Sequence, residues 1–291
     1  MKLSFTTLDV FTTTPFSGNA LAIVRVPATH RATLTEDQKQ KIATEFNLSE
    51  TVFLHEVGPS DTVADYDIFT ARSRVSFAGR VTSLRTLAGL IPLHASAAAT
   101  ASVNLPHDLR EHTARLPHPL PSASTNPSGS GSVPLVSIVK GMAFNLVPLS
   151  TLPVLASVSA GLVPAADVFA CRHLDAGSGW DVGLTGTFYY VDLGADPECA
   201  GRRLLRTRSI GSREDPGTGS ASGALCSYLA LQEGPEKGRG PFEFHLVQGV
   251  EMGRRCDIFV RVMRKEDGEG VEEVVLSGNA VEVMEGFVNV E

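Results

Sequence analysis

The stretch "REDPGTGSASGALCSYLALQ", Arg213–Gln232, sets the first limit on the fold. Its second part is an apolar run that reads as a long helix, and a helix without a polar face must be buried. Its first part holds an acid pair (Glu214, Asp215), Pro216, three glycines (Gly217, Gly219, Gly223) and three small hydroxyl residues. Phosphate binding, a serine nucleophile, or a backbone cradle for an acid–base site could each want such an arrangement.

Phosphate binding fails on spacing. No Lys follows the glycines as a P-loop requires, and G-x-G-x-x-x-G is not the dinucleotide fingerprint. The preceding "RTRSIGSRED" is not expected to be a buried hydrophobic strand. "GSASG" matches G-x-S-x-G with Ser222 at its centre, but a nucleophile elbow needs an acid and then a histidine downstream. His245 is the one histidine that follows, inside the strand-like "FEFHLVQ". Small residues on a packed helix face account for "GSASG" equally well, so the serine hydrolase stands third. The cradle has the better physics. A helix's first turn offers unpaired N–H groups and a positive dipole end, and glycine lets a ligand approach the backbone.

Composition narrows the partners. Of 291 residues 43% are hydrophobic, enough for a packed core, and 20% are charged. Twenty-five basic against thirty-two acidic residues leave a net charge of −7 with no basic stripe, which argues against nucleic acid or an anionic membrane as partner. The N-terminus lacks the apolar core of a signal peptide and no run approaches a membrane span, so cytosol is the expected compartment. Cys171, Cys199, Cys226 and Cys256 are scattered without C-x-x-C or paired Cys/His spacing; neither a disulfide framework nor a metal site is expected, and Cys226 reads as a small buried hydrophobe.

The Pro/Ser/Gly-rich segment "LPHPLPSASTNPSGSGSVP" divides the chain near its middle. It gives an expected N-terminal lobe at 1–116, a flexible linker at 117–133 and a C-terminal lobe at 134–291, whose last strand can cross back to the first lobe. In the first lobe, "SFTTLDVFT" and "NALAIVRV" predict strands joined by a turn-rich connection. "LTEDQKQKIATEFN" predicts a helix with a Thr35/Gln38 capping box, and "TVFLHEV" and "YDIFTA" predict strands. "VTSLRTLAGLI" predicts a buried helix stopped at Pro92. In the second lobe, "LVSIVK" and "MAFNLVPL" predict a hairpin around Gly141. "TLPVLASVSAGL" predicts a helix ending at Gly161, "DVFACRHL" and "TFYYVDLG" strands, and "DPECAGRRLL" a short helix. Four strands are expected after the apolar helix: "PFEFHLVQG", "CDIFVRV", "EEVVLSG" and "NAVEVMEG". Each half thus carries an apolar helix entered through a Gly-containing, hydroxyl-rich turn, which points to two pseudo-equivalent lobes.

Several motifs in order resemble one family. "LDVFTTTPFSGNALAIV", "IATEFNLSETVFL", "YDIFTARSRVSFAGR", "REDPGTGSASGALCSYL", "VQGVEMGRRCDIFV" and "VLSGNAVEVMEG" are similar to the succession found in PhzF-like phenazine-biosynthesis isomerases, whose fold is that of diaminopimelate epimerase. The resemblance implies an α+β fold of two lobes, each a barrel-like, mainly antiparallel sheet around a central helix, with the site between them. It implies acid–base catalysis without a cofactor on a small molecule, often in a homodimer. Carried over residue by residue, it makes Glu50 the catalytic carboxylate and Asp215 its partner acid. Gly219 and Ser220 become substrate contacts, as do Gly79 and Arg80 of "FAGR". Arg80 stands where the family has histidine, and Val81 where it has proline. An arginine stays charged and cannot relay a proton near neutral pH, but it can clamp a carboxylate. Paired catalytic cysteines, used by racemases of this fold, are absent from both turns. The expected function is a cofactor-independent isomerase or cyclase of secondary metabolism; the alternative is a non-catalytic small-molecule-binding or scaffold protein on the same fold.

Overall fold

The computed structural model turns the N-terminal β-branched runs into an antiparallel pair, β1 (Lys2–Val10) and β2 (Asn19–Val26), with Phe5 opposite Val24 and Val10 opposite Asn19. The connection is drawn tight by Asp9, whose Oδ2 accepts from the Phe16 amide at 2.6 Å. Gly18 sits at φ +67°, and a Cβ there would lie 2.4 Å from the Val10 carbonyl oxygen, so only glycine fits. The structure describes residues 1–57, 63–72, 74–75, 83–86, 89–95, 100–120 and 126–291. They form two compact units, Met1–Asn104 with Ser277–Glu291, and Leu105–Leu276.

In the first unit the expected capping box opens α1 (Glu36–Phe46): Thr35 and Gln38 exchange both bonds, and Asn47 ends the helix in the left-handed region. Ile42 and Ala43 of α1 pack with Leu3, Val24, Val26, Leu34, Phe53 and Phe69. The helix carries the chain across to β3 (Glu50–His55), which runs parallel to β2 with Leu21 opposite Glu50. Strand β4 (Val63–Phe69) pairs antiparallel with β3, and β5 (Arg74–Val75) with β4. The described residues of "VTSLRTLAGLI" do not form the expected helix. Ser83–Thr86 (β6) and Gly89–Ala95 (β7) pair antiparallel instead, with Thr86 opposite Gly89 and Pro92 opposite Ser83. Pro92 therefore lies inside a strand; β6 also runs parallel to β4, and cross-strand pairing overrides local preference. Strand β8 (Thr100–Asn104) completes the run against β7.

The second unit begins with β9 (Arg110–Glu111), β10 (Leu116–Pro117) and β11 (Ser132–Val133). The Pro/Ser/Gly-rich stretch expected to link the lobes falls inside this unit. β10 pairs with β11, the His118 ring sits 2.9 Å from the Pro148 carbonyl, and Asn126 is buried and donates to the Ser130 carbonyl at 2.6 Å. The division comes instead at Asn104/Leu105 and Leu276/Ser277. The hairpin at Gly141 joins β12 (Leu135–Val139) to β13 (Met142–Pro148) as expected. Helix α2 (Leu152–Ser157) covers only the first half of "TLPVLASVSAGL", and Arg208 donates to the carbonyls of Leu155, Ala156 and Val158 at its end. "DVFACRHL" is not a strand but a chain of turns, with Ala170 bonded to Asp167, Leu174 to Cys171, and Cys171 at φ 58°.

The core sheet continues through β14 (Leu184–Ala195), parallel to β13, then β15 (Arg202–Ile210) and β16 (Glu214–Asp215), each antiparallel to the one before. "DPECAGRRLL" forms no helix: Asp196 accepts from the Glu198 amide, and Gly201 at φ +85° closes a tight turn into β15. "RTRSIGSRED" turns out to include a buried strand, but one whose interior is polar, through Thr207, Arg208 and Ser209. Helix α3 (Gly219–Gln232) is the apolar helix, packed against β12, β13, β17 (Phe242–Gln248) and β18 (Cys256–Arg264). Gly223 lets it sit close, since a Cβ there would lie 2.6 Å from Leu105 Cδ1. Burial pushes the Cys226 thiol well up, as suits a small core residue. β17 lies parallel to β15 and antiparallel to β18. The two last expected strands are one, β19 (Val271–Asn289), which leaves the second unit at Leu276 and pairs with β1 in the first, Lys2 opposite Asn289.

Candidate active site

Strand alternation decides which way Glu50 projects. Thr51, Phe53 and His55 share the face of β3 that α1 covers, where Phe53 joins the α1 core. Glu50 shares the other face with Val52 and Leu54, whose apolar cluster includes Leu21, Ile23, Ala64, Tyr66 and Ile68. It is the first residue of the strand, partly buried, directly after the helix end at Asn47. Glu50 is thus a half-buried carboxylate at the rim of an apolar face.

In the second unit Asp215, Gly219 and Ser220 lie in one turn, between β16 and the start of α3. The two neighbouring acids are used differently. Glu214 makes a two-pronged bond with Arg208, Nε to Oε1 at 2.7 Å and Nη2 to Oε2 at 2.8 Å, and this hydrogen-bonded pairing raises the pKa of the buried guanidinium. Asp215 instead accepts from the Thr218 hydroxyl at 2.6 Å. Thr218 occupies the N-cap position of α3, yet its side chain makes no bond to the helix's first turn. The cap residue serves the acid, and the amides at Gly219 and Ser220 keep the electrostatic character of an unclosed helix start.

Two residues of this turn escaped the sequence reading. Gln248, fully buried at the end of β17, donates from Nε2 to the Asp215 carbonyl at 2.8 Å and to Thr218 Oγ at 3.1 Å, and accepts from the Thr218 amide at 3.2 Å. The clue lay in "VQG": Gly249 stands at φ +73°, where a Cβ would be 2.7 Å from the Pro216 carbonyl oxygen, so β17 can end against the turn. Arg208 gave no signal, because a buried arginine is visible only through its partners.

The serine-hydrolase arrangement is not formed. Ser222 is 0% exposed and its hydroxyl donates to the Thr218 carbonyl at 2.9 Å, while both ring nitrogens of His245 face carboxylates, Asp196 at 3.2 Å and Asp257 at 2.8 Å. His112, Ser137 and Asp175 do approach one another, with His112 Nε2 2.9 Å from Ser137 Oγ and Nδ1 3.5 Å from Asp175. Ser137 and His112 are each 1% exposed, so no substrate reaches them. Gly79 and Arg80 lie outside the described residues. Among the described residues, no group of three or more His, Cys, Asp or Glu is arranged to hold a metal ion, and no helix is long and apolar enough to cross a membrane.

The sheet-dominated α+β architecture is that of the diaminopimelate epimerase-like fold, shared by epimerases, racemases and PhzF proteins. A crystal structure of a PhzF-family phenazine biosynthesis protein of Bacillus anthracis covers all of both chains at TM-score 0.71 and 20% identity. A hydroxyproline epimerase of Agrobacterium vitis, with trans-4-hydroxy-L-proline bound, covers 99% of this chain and 92% of its own at TM-score 0.64 and 12% identity. Within that fold the chain belongs to the PhzC-PhzF family of phenazine biosynthesis-like proteins, whose model matches residues 8–107 and 193–286. An uncharacterized isomerase of Mesorhizobium japonicum is 28% identical over 302 residues, spanning 96% of each chain.

Proposed function

We propose that this chain is an isomerase that moves a proton on a small carbonyl- or carboxylate-bearing metabolite without a cofactor. The observation that carries the reading is the Asp215 turn: an acid held by the N-cap hydroxyl of a helix whose own cap bond is left unmade. Family membership and relatives named as isomerases support the reaction class. Glu50 acts as general base, taking the proton beside the carbonyl, and Asp215 returns one as general acid. The amides of Gly219 and Ser220, with the Ser220 hydroxyl, hold the oxygen on which negative charge builds during the transfer. Gly79 and Arg80 bind the substrate's anionic group, for which a permanently charged guanidinium suits better than a proton-relaying imidazole. A place in secondary metabolism, and ring closure following the proton shift, belong to the same proposal.

Incubation of the wild type and Glu50→Gln in D₂O with a panel of small unsaturated and amino carboxylic acids and a metabolite extract tests it, with mass spectrometry of the products. Deuterium gained with the wild type, and lost by a factor of about 10²–10⁴ with the variant, is the expected result. Binding of panel compounds without conversion or exchange would replace this reading with the small-molecule-binding protein.

A further inference from the structure

Resting on the reading of Asp215 as the site's acid, we propose that Gln248 is its positioning residue: it locks the Thr218 hydroxyl onto Asp215 and thereby prevents it from capping α3. The directions of the hydrogen bonds follow one from another. The Thr218 amide can only donate, so the Gln248 atom 3.2 Å away is the oxygen. The Asp215 carbonyl can only accept, so the atom 2.8 Å away is the nitrogen. A flipped amide would set donor against donor and acceptor against acceptor. The same nitrogen sits 3.1 Å from Thr218 Oγ and must donate to it, so the single hydroxyl proton is directed elsewhere. It goes to Asp215 Oδ2, at 2.6 Å.

An N-cap threonine ordinarily accepts from the amide two or three residues on, here Ser220 or Ala221. In this turn the side chain makes no such bond. Gln248 is 0% exposed, so no water competes for its amide, and Gly249 brings it within reach by lying against Pro216. One buried side chain thus fixes the rotation of the acid and leaves the helix start open to a substrate oxygen. The helix's regular bonding begins just beyond, with the Ser222 amide on the Thr218 carbonyl at 3.0 Å.

Crystal structures of Gln248→Leu and, at a pH where the new carboxyl is ionised, Gln248→Glu test the lock, since leucine has no donor and a carboxylate only accepts. In Gln248→Leu the hydroxyl is expected to turn and accept from the Ser220 or Ala221 amide; in Gln248→Glu it donates to the new carboxylate. A hydroxyl that stays on Asp215 in both overturns the proposal. Oxalate, a small planar dianion, probes the helix start through the amide resonances of Gly219 and Ser220. Its affinity is expected to be about tenfold or more lower in Gln248→Leu, where the cap has closed, than in Thr218→Val, where nothing can close it. Equal affinities, or no shift of either resonance in the wild type, overturn the cap-opening half. If the Gln248 variants do not fold, Thr218→Val is expected to slow deuterium exchange about tenfold and Thr218→Ser to recover it. Equal rates in those two count against the lock. The structural and oxalate measurements need no turnover, so a chain that exchanges nothing sinks the isomerase reading alone.

Discussion

Strand β17 carries two buried polar side chains, His245 and Gln248, and the protein holds them in opposite ways. The His245 ring lies between two carboxylates, each backed by an arginine: Arg202 on Asp196 at 2.6 Å and Arg255 on Asp257 at 2.7 Å. Its flat face stacks on Phe259 at 4.7 Å. Each ring nitrogen meets a carboxylate, and each carboxylate meets an arginine. Gln248 reaches its turn through neutral amide and hydroxyl bonds, and the carboxylate it supports, Asp215, is half-buried rather than sealed. The first arrangement serves stability. The second, on the proposed reading, sets the site's acid in place, and a change at that acid is expected to cost little stability.

Removing His245 should have the largest effect. His245→Ala empties a buried ring site and leaves Asp196, whose side chain is 1% exposed, without one of its partners, and is expected to lower the unfolding free energy by about 2–4 kcal/mol in urea titrations. A loss under about 1 kcal/mol would break the contrast drawn here. Asp215→Asn should do the reverse: deuterium exchange falls about 100-fold, while stability changes by less than about 1 kcal/mol.

Acid sharpens the same comparison. Burial alone would raise the Asp257 pKa, but the bonds from His245 and Arg255 outweigh it and hold the carboxyl at about 2. Asp196 is likewise lowered, by the Glu198 amide, Arg202 and His245 acting against its burial. Both folded-state values lie below the unfolded one, so their stabilisation is complete above about pH 4 and fades as pH falls toward 2. Unfolding followed from pH 5 to pH 2 should therefore steepen in the wild type and flatten in Asp257→Asn. Identical slopes would mean that the network contributes nothing. The smallest effect belongs to Ser222→Ala, which removes one buried hydroxyl bond to the Thr218 carbonyl and should cost about 1 kcal/mol with exchange intact. A serine-reactive fluorophosphonate should leave Ser222 unlabelled.

What the chain reveals of itself in advance follows the range of the forces involved. The capping box at Thr35, the hairpin at Gly141 and helix α3 were legible because neighbours in sequence decide them. The stretch around Pro92, the turns around Cys171 and the turn at Asp196 were misread because partners far along the chain, or a single side chain folding back, outweigh local preference. The mid-chain Pro/Ser/Gly stretch shows the same effect: its composition suggests a tether, yet Asn126 and His118 anchor it within one unit. Of the candidate site, Glu50, Asp215 and Gly219 are marked out by their motifs alone. The division of labour between Glu214 and Asp215 is not, since it depends on Arg208 and Gln248 arriving from other strands.

That division is also where the account is most directly tested. Deuterium exchange should be measured with one responding panel compound for the wild type, Glu50→Gln, Asp215→Asn and Glu214→Gln, with folding checked by thermal unfolding. The account predicts that Glu50→Gln and Asp215→Asn lose exchange about 100-fold or more while remaining folded, and that Glu214→Gln chiefly loses stability. Exchange that survives in both Glu50→Gln and Asp215→Asn, or that disappears only with Glu214→Gln, would contradict it.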